Sequence, residues 1–327
     1  MISPKSLRIM ALKWWVWLLI GICIGGIVVS SVAYFLMLPE RVGIEHVAVI
    51  QLSGTISYSE SPLTLFSGET ITPDRVRELI DEVEADPYAK AVVIVINSPG
   101  GSAAASEEIY QMIKKLSQER VVVAYIAEYG ASGGYYISLP ADRIIASPHA
   151  LTGSIGAVSL VINFAELMDK LGIRAETFKS GRLKDIGSAW RPLTEEERRI
   201  LQSMVDSIAR VFEERVEENR GDKIRDWDEI LTARPFIGLQ ALKLGLVDDI
   251  GNLEDAIDAA RALAGLPETA PVKWIKPRKP TLLELLLGGG ESKAMKLSYE
   301  ILLMWPLPTG IEPDQLIIAR TCQLIKD

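Results

Sequence analysis

The stretch "VVVAYIAEYGASGGYYIS", residues Val121 to Ser138, starts as one kind of structure and ends as another. Val121 to Ala127 is apolar and uncharged, which reads as a strand buried on both faces. The run breaks at Gly130-Ala131-Ser132-Gly133-Gly134, a match to G-x-S-x-G. That pattern marks a serine on a tight strand-to-helix turn. A serine hydroxyl attacks poorly unless a neighbour takes its proton. The chain holds two histidines, His46 and His149, so the identity of that base is the first question.

Outward from this stretch the same alternation recurs. "HVAVIQL", His46 to Leu52, reads as a first strand, and "AVVIVI", Ala91 to Ile96, as a buried one of the parallel kind. Between them Ser53 to Ile71 reads as a loop, and Thr72-Pro73 opens a helix carrying Val76, Leu79, Ile80 and Val83 at helical spacing. "NSPGGSAAASEEIYQMIKKL", Asn97 to Leu116, is a glycine-bearing turn and a helix. "RIIAS", Arg143 to Ser147, is another strand, and "SIGAVSLVI", Ser154 to Ile162, follows after a short turn. Thr194 to Glu197 has capping-box spacing and starts a long helix toward Glu218. "GLVDDIG", Gly245 to Gly251, reads as a late strand and turn, and "NLEDAIDAARALAG" as a closing helix. Strands alternating with helices predict an α/β domain with a parallel sheet.

Composition bounds the rest. The chain has 327 residues, 48% of them apolar, and a net charge of −8, which argues against a nucleic-acid binder. There are two cysteines, Cys23 in an apolar run and Cys322 near the C-terminus, so a disulfide framework is not expected, and no C-x-x-C or cysteine-histidine cluster offers a metal site. Trp14 to Leu38 carries no charge and is long enough to cross a bilayer. Lys5, Arg8 and Lys13 precede it, which places the N-terminus in the cytoplasm and the bulk of the chain outside. A cleaved signal peptide, with Ser31-Val32-Ala33 as its site, is the competing reading. The apolar run continues past that point. Beyond Pro277 the segments "TLLELLLGGG" and "LSYEILLMWPLP" are apolar, with Gly and Pro breaks. They suit packing on the domain, a neighbour or the membrane.

In an open α/β sheet, sites lie at the carboxyl ends of strands. The turns Asn97–Gly101 and Gly130–Gly134 are thereby expected at one crevice. The N–H groups of Gly101 and Gly133 are candidate donors to a developing oxyanion. An α/β-hydrolase triad needs an acid and then a histidine well beyond the serine. No histidine follows His149, 17 residues on, so that triad is disfavoured. A lysine can serve instead if its amine is neutral, which means moving an ordinary ammonium from about 10.4 to near 7, a bias of roughly 4.6 kcal/mol. Burial can supply it. Lys179 and Lys184, in "FKSGRLKDIGSAW", are the candidates.

Several linked motifs, "INSPGG", "GASGGYY", "LTGSIGA", "KSGRLKDIGSAWRPLTEEER" and "PFIGLQALKLGLVDDIG", resemble the signal peptide peptidase A (protease IV) family in its short, single-copy form. The resemblance spans about Val47 to Ala264, plus the N-terminal anchor. It implies a Clp protease/crotonase-like α/β fold and a Ser-Lys peptidase. Carried over by motif, Ser132 is the nucleophile, Lys184 the general base, Gly101 and Gly133 the oxyanion donors, and Ser154 the residue orienting the lysine amine. Ala189 stands where the family commonly has proline. The resemblance implies no cofactor and no metal, substrates such as signal peptides already released into the bilayer, and a ring-like homo-oligomer such as an octamer, with nucleophile and base from neighbouring subunits.

The resulting organisation is a cytoplasmic segment 1–13, an anchor 14–38, a protease domain 46–265 and an extension 266–327. The location is the cell membrane, single-pass, with the protease domain extracytoplasmic. Three rival readings are a membrane protease cutting one defined membrane protein, a crotonase-type acyl-CoA enzyme, and a non-catalytic scaffold.

Overall fold

The computed structural model describes residues 16–31, 43–59, 70–276 and 302–304. The chain divides into two compact units, Met1–Ile44 and Glu45–Asp327. In the first, residues 16–31 form helix α1, whose side chains, among them Trp17 and Val29, are exposed. The expected span Trp14 to Leu38 runs beyond the described residues at both ends. Among the described residues no helix is long and apolar enough to cross a membrane.

The second unit contains β1 (His46–Ser53), β2 (Thr55–Ile56), β3 (Thr70–Ile71), β4 (Ala89–Ser98), β5 (Gly100–Ser102), β6 (Val121–Ala131), β7 (Arg143–Ala146) and β8 (Leu151–Gly153). These are followed by β9 (Pro235–Ile237), β10 (Asp249–Ile250), β11 (Val272–Ile275) and β12 (Leu302–Met304). Its helices are α2 (Pro73–Glu84), α3 (Ala103–Ser117), α4 (Gly133–Tyr136), α5 (Ala165–Lys170), α6 (Glu195–Arg220), α7 (Trp227–Ile230), α8 (Gly238–Leu244) and α9 (Leu253–Leu263).

The main sheet runs β10-β7-β6-β4-β1-β11, every neighbouring pair parallel. Successive residues of its strands go to opposite faces. Ala48, Ile50, Val92, Ile94, Val122 and Ala124 face one hydrophobic cluster, with α2, α3 and Phe212 and Val216 of α6. Val47, Val49, Ala91, Val93, Val123 and Tyr125 face a second, closed by Ala256, Ile257 and Ala260 of α9. The strands are apolar on both sides because helices cover both sides. Each Val or Ile so buried contributes about 1.5–3 kcal/mol.

Helix starts follow local chemistry. Thr72 Oγ1 accepts from the Arg75 N–H at 3.2 Å ahead of Pro73. At α6, Thr194 and Glu197 form the reciprocal capping box, Glu197 N–H to Thr194 Oγ1 at 3.2 Å and Thr194 N–H to Glu197 Oε2 at 2.8 Å.

One element falls earlier than its apolar pattern suggests. The strand after β7 is Leu151–Gly153, and Ser154 to Ile162 leaves the sheet. Gly153 (φ 73°) and Ser154 (φ 52°) are two successive left-handed residues, which turn the chain away from its strand partner. A second small sheet, β12-β5-β2-β3, lies past the carboxyl end of β4. In it, the backbone of residues 302–304 pairs antiparallel with Gly100–Ser102. The rest of the apolar C-terminal segment lies outside the described residues.

Candidate active site

Ser132 follows the last residue of β6 and caps α4 with φ 55° and ψ −121°, a conformation that L-residues rarely adopt. Its N–H donates to Gly153 O at 2.8 Å and its carbonyl accepts from the Tyr136 N–H at 2.9 Å, so both sides of the bend are pinned. The residue is 2% exposed. Among the described residues no hydrogen bond is made by Ser132 Oγ.

The glycines around it are there for space. A Cβ on Gly134 would lie 2.4 Å from Ser98 O, and a Cβ on Gly133 would lie 2.5 Å from Ser106 Oγ and 3.3 Å from Gly101 N. A Cβ on Gly101 would meet Ile56 O at 2.0 Å. Two conclusions follow. The backbones of the two glycine turns touch, and the amide nitrogen of Gly101 sits beside Gly133, next to the serine. The two donors expected from sequence are therefore together, at the carboxyl ends of β4 and β6, where Ser98 and Gly130 pair. The Ser98 hydroxyl shapes the approach by accepting from the Gly100 N–H at 3.1 Å.

The short helix behind the serine is anchored by its tyrosines. Tyr135 Oη donates to Leu246 O at 2.7 Å, and Tyr136 Oη donates to the Glu107 carboxylate. Burial, and then the bond to Glu107, push the Tyr136 hydroxyl well above its ordinary range, so it stays a donor. Burial also pushes Glu107 up. Arg215, whose Nη2 donates to Glu107 Oε1 at 3.0 Å, together with Tyr136 and Gln111, more than offsets this and holds it below its usual range.

Ser154, 6% exposed, directly follows the Gly153 that binds Ser132, and its N–H donates to Arg234 O at 3.3 Å. Lys184 is placed differently. It lies on an exposed run of turns, with its N–H on Gly181 O at 3.1 Å. Among the described residues its amine makes no hydrogen bond to Ser132 or Ser154. The structure separates the two candidate lysines nonetheless. Lys179 Nζ is engaged by Asp185 Oδ1 at 2.6 Å and Arg182 O at 3.1 Å, whereas Lys184 Nζ has no ion pair or hydrogen bond among the described residues. The histidines lie elsewhere: His149 is exposed after β7, and His46 opens β1 at the opposite end of the parallel strands, beside Asp86 at 3.5 Å.

What sequence reasoning missed is a ring of charge around the lysine loop. Asp185 Oδ2 accepts from Arg191 Nε at 2.9 Å, and Arg191 forks onto Glu197 at 2.6 and 2.9 Å. The sequence offered no signal for it, because the capping box already accounted for Glu197. Only its burial shows the need for a partner: Glu197 is 2% exposed, and a carboxylate that deep must be paired.

The family profile described as Peptidase family S49 matches residues 114–267. The chain is 35% identical over 238 residues to the putative protease MJ0651 of Methanocaldococcus jannaschii, covering 71% of this chain and 75% of that protein. It is 31% identical over 238 residues to the putative signal peptide peptidase SppA of Enterococcus faecium, covering 72% and 69%. The solved structure of the 1510-N membrane-bound stomatin-specific protease superposes with a TM-score of 0.41 at 18% identity, covering 72% of this chain and 100% of that one.

Proposed function

The chain belongs to peptidase family S49 and is a serine-type endopeptidase, and from that premise we propose that Ser132 is its nucleophile and Lys184 its general base. The carrying observation is the turn itself: a buried serine, held at φ 55°, with the amide nitrogens of Gly101 and Gly133 beside it. In this reading neutral Lys184 accepts the Ser132 proton as Oγ attacks the peptide carbonyl. The N–H groups of Gly101 and Gly133 stabilise the oxyanion. The ammonium then protonates the leaving amine, and water, with Lys184 again as base, hydrolyses the acyl-enzyme. Ser154, next in chain to the Gly153 that holds Ser132, orients the lysine amine.

The fold is of the Clp protease/crotonase kind, and the active assembly is a homo-oligomeric ring in which one subunit's Lys184 meets its neighbour's Ser132. Two features support an intersubunit site. Lys184 is exposed and, among the described residues, makes no hydrogen bond to Ser132. The segment leading to it exposes Leu160 (68%), Leu171 (64%) and Phe178 (91%), an apolar surface of the sort a second copy covers. The substrates are apolar peptides such as signal peptides released into the bilayer. An extended peptide adds beside Gly100–Ser102, an edge against which residues 302–304 already run antiparallel. The protein is anchored by Trp14–Leu38, with its N-terminus cytoplasmic and the catalytic unit extracytoplasmic. The basic flank and the exposed apolar surface of residues 16–31 support this placement.

The test is complementation. Ser132→Ala and Lys184→Ala chains are each expected to be inactive on an apolar signal-peptide substrate. Mixed oligomers, verified by differential tagging, should recover part of the wild-type rate. Verified mixed oligomers without recovery would place both groups in one subunit. Cleavage of one folded membrane protein with no turnover of free signal peptides would reassign the substrate.

A further inference from the structure

We propose that Arg191 is a positioning residue for Lys184, tying the turn that carries the amine to the first turn of α6. This rests on the reading of Lys184 as the general base.

Lys184 lies on a succession of turns closed by Lys184 N–H to Gly181 O, Ile186 N–H to Leu183 O and Ser188 N–H to Asp185 O, all at 3.1 Å. Phe178 is 91% exposed at one end of this loop and Trp190 48% exposed at the other. Left to itself such a loop samples many conformers, and ordering it costs conformational entropy. A base is useful only if held, because a displacement of about 1 Å costs roughly 100-fold in rate. Some other part of the structure must therefore fix the turn.

The neighbour of Lys184 in sequence does so. Asp185 has a side chain only 10% exposed. Arg191 Nε donates to Asp185 Oδ2 at 2.9 Å, and Arg191 Nη2 donates to the Asp185 carbonyl at 3.1 Å, so the guanidinium grips both side chain and backbone of the turn. Its other edge is committed to Glu197, Nη2 to Oε1 at 2.6 Å and Nη1 to Oε2 at 2.9 Å. Glu197 in turn is locked by the Thr194 N–H at 2.8 Å within the cap of a 26-residue helix. The link runs from a rigid helix through one planar group to the residue beside the amine. Only arginine has donors on two edges in fixed geometry, and a lysine ammonium cannot span both carboxylates in the same way. Arg191 forces both acids to remain ionised. Its hydrogen bonds, with help from the Thr194 N–H, hold Glu197 down at about 2.

The experiment is a double-mutant cycle on the full chain. Arg191→Gln, Arg191→Lys, Lys184→Ala and Arg191→Gln/Lys184→Ala are compared on an apolar peptide and on an activated ester. The ester keeps residual turnover by the lysine variant measurable. Arg191→Gln should lower kcat on the peptide about 10–100-fold with KM within about twofold. Arg191→Lys should restore less than a third of the loss. Added to Lys184→Ala, Arg191→Gln should change ester turnover less than twofold. Amide exchange at Lys184 and Ile186 should quicken in Arg191→Gln while that of β4 and β6 is unchanged. An equal loss in both backgrounds would reduce Arg191 to a general stabiliser, and wild-type kcat in a folded Arg191→Gln would overturn the proposal outright. If Arg191→Gln does not fold, Arg191→Lys decides: full kcat there overturns it. Full activity of Lys184→Ala, by contrast, removes the base assignment, and the positioning role goes with it.

Discussion

Ser132 sits where its own backbone would prefer not to be. A non-glycine residue at φ 55°, ψ −121° stores about 1–3 kcal/mol, compensated by its N–H bond to Gly153 O and by the Tyr136 N–H donating to its carbonyl. Alanine keeps the Cβ and hence the strain, whereas glycine releases it and loses about 0.5–1 kcal/mol to unfolded-state entropy. Both variants are expected to be inactive. Ser132→Gly should nonetheless melt about 2–4 °C above Ser132→Ala, the equivalent of about 1 kcal/mol. Thermal unfolding of the pair checks this, and a glycine variant melting lower would show that the turn is unstrained. Two residues on, Gly134→Ala is expected to lose about 1–3 kcal/mol in denaturant titration, since its methyl would press on Ser98 O, a backbone atom that cannot rotate aside.

At the scale of elements, the start of α6 is both a cap and an anchor. Glu197 has a folded pKa of about 2, lowered first by Arg191 and then by the Thr194 N–H. A depressed carboxylate contributes stability that is fully present above its unfolded value near 4.5 and is lost as pH falls toward 2. Glu197→Gln should therefore melt below wild type at pH 7, with the gap narrowing between about pH 4.5 and pH 2. A gap independent of pH would mean that packing, not charge, carries the effect. A second prediction concerns β5. With residues 302–304 along Gly100–Ser102, that edge is occupied. A chain ended after Lys276 should bind an extended peptide with lower KM and unchanged kcat, and an unchanged KM would show that peptide does not use this edge.

The same scale explains what could be read in advance. β1, β4 and β6 were legible because strands buried on both faces are continuous apolar runs, and α2 and α6 because their caps are local. The two- to four-residue strands β2, β3, β9 and β11 have no periodicity to find. The strand after β7 was obscured by apolar residues that follow it outside the sheet. Of the candidate site, Ser132, Gly101 and Gly133 were legible because turn chemistry is written in adjacent residues. Residue chemistry alone left Lys179 and Lys184 open, and only the motif resemblance singled out Lys184; that Asp185 engages Lys179 is a tertiary contact with no local signal. The Arg191 fork reaches Glu197, whose capping role alone explained its presence in the sequence.

Over the whole catalytic unit, the long helix is fastened to the sheet by charge as well as by Phe212 and Val216. Arg220, 2% exposed, donates to Asp248 Oδ2 at 2.7 Å and to Gly245 O at 2.7 and 3.1 Å, and Asp248 also accepts from the Ile144 N–H at 2.8 Å. Asp248→Asn strands a buried guanidinium and is expected to cost about 3 kcal/mol in chemical denaturation. The same helix begins at the anchor of the lysine loop and passes the Glu107–Tyr136 contact behind the serine, so one rigid element bears on both halves of the proposed dyad. The most direct measurement of that dyad is covalent trapping, in which wild type and Lys184→Ala are incubated with an acylating peptide ester and mapped by mass spectrometry. Acylation on Ser132 in wild type, slowed about 10⁴-fold in Lys184→Ala, is the predicted result. An adduct on another residue, or one formed equally fast without the lysine, would contradict it.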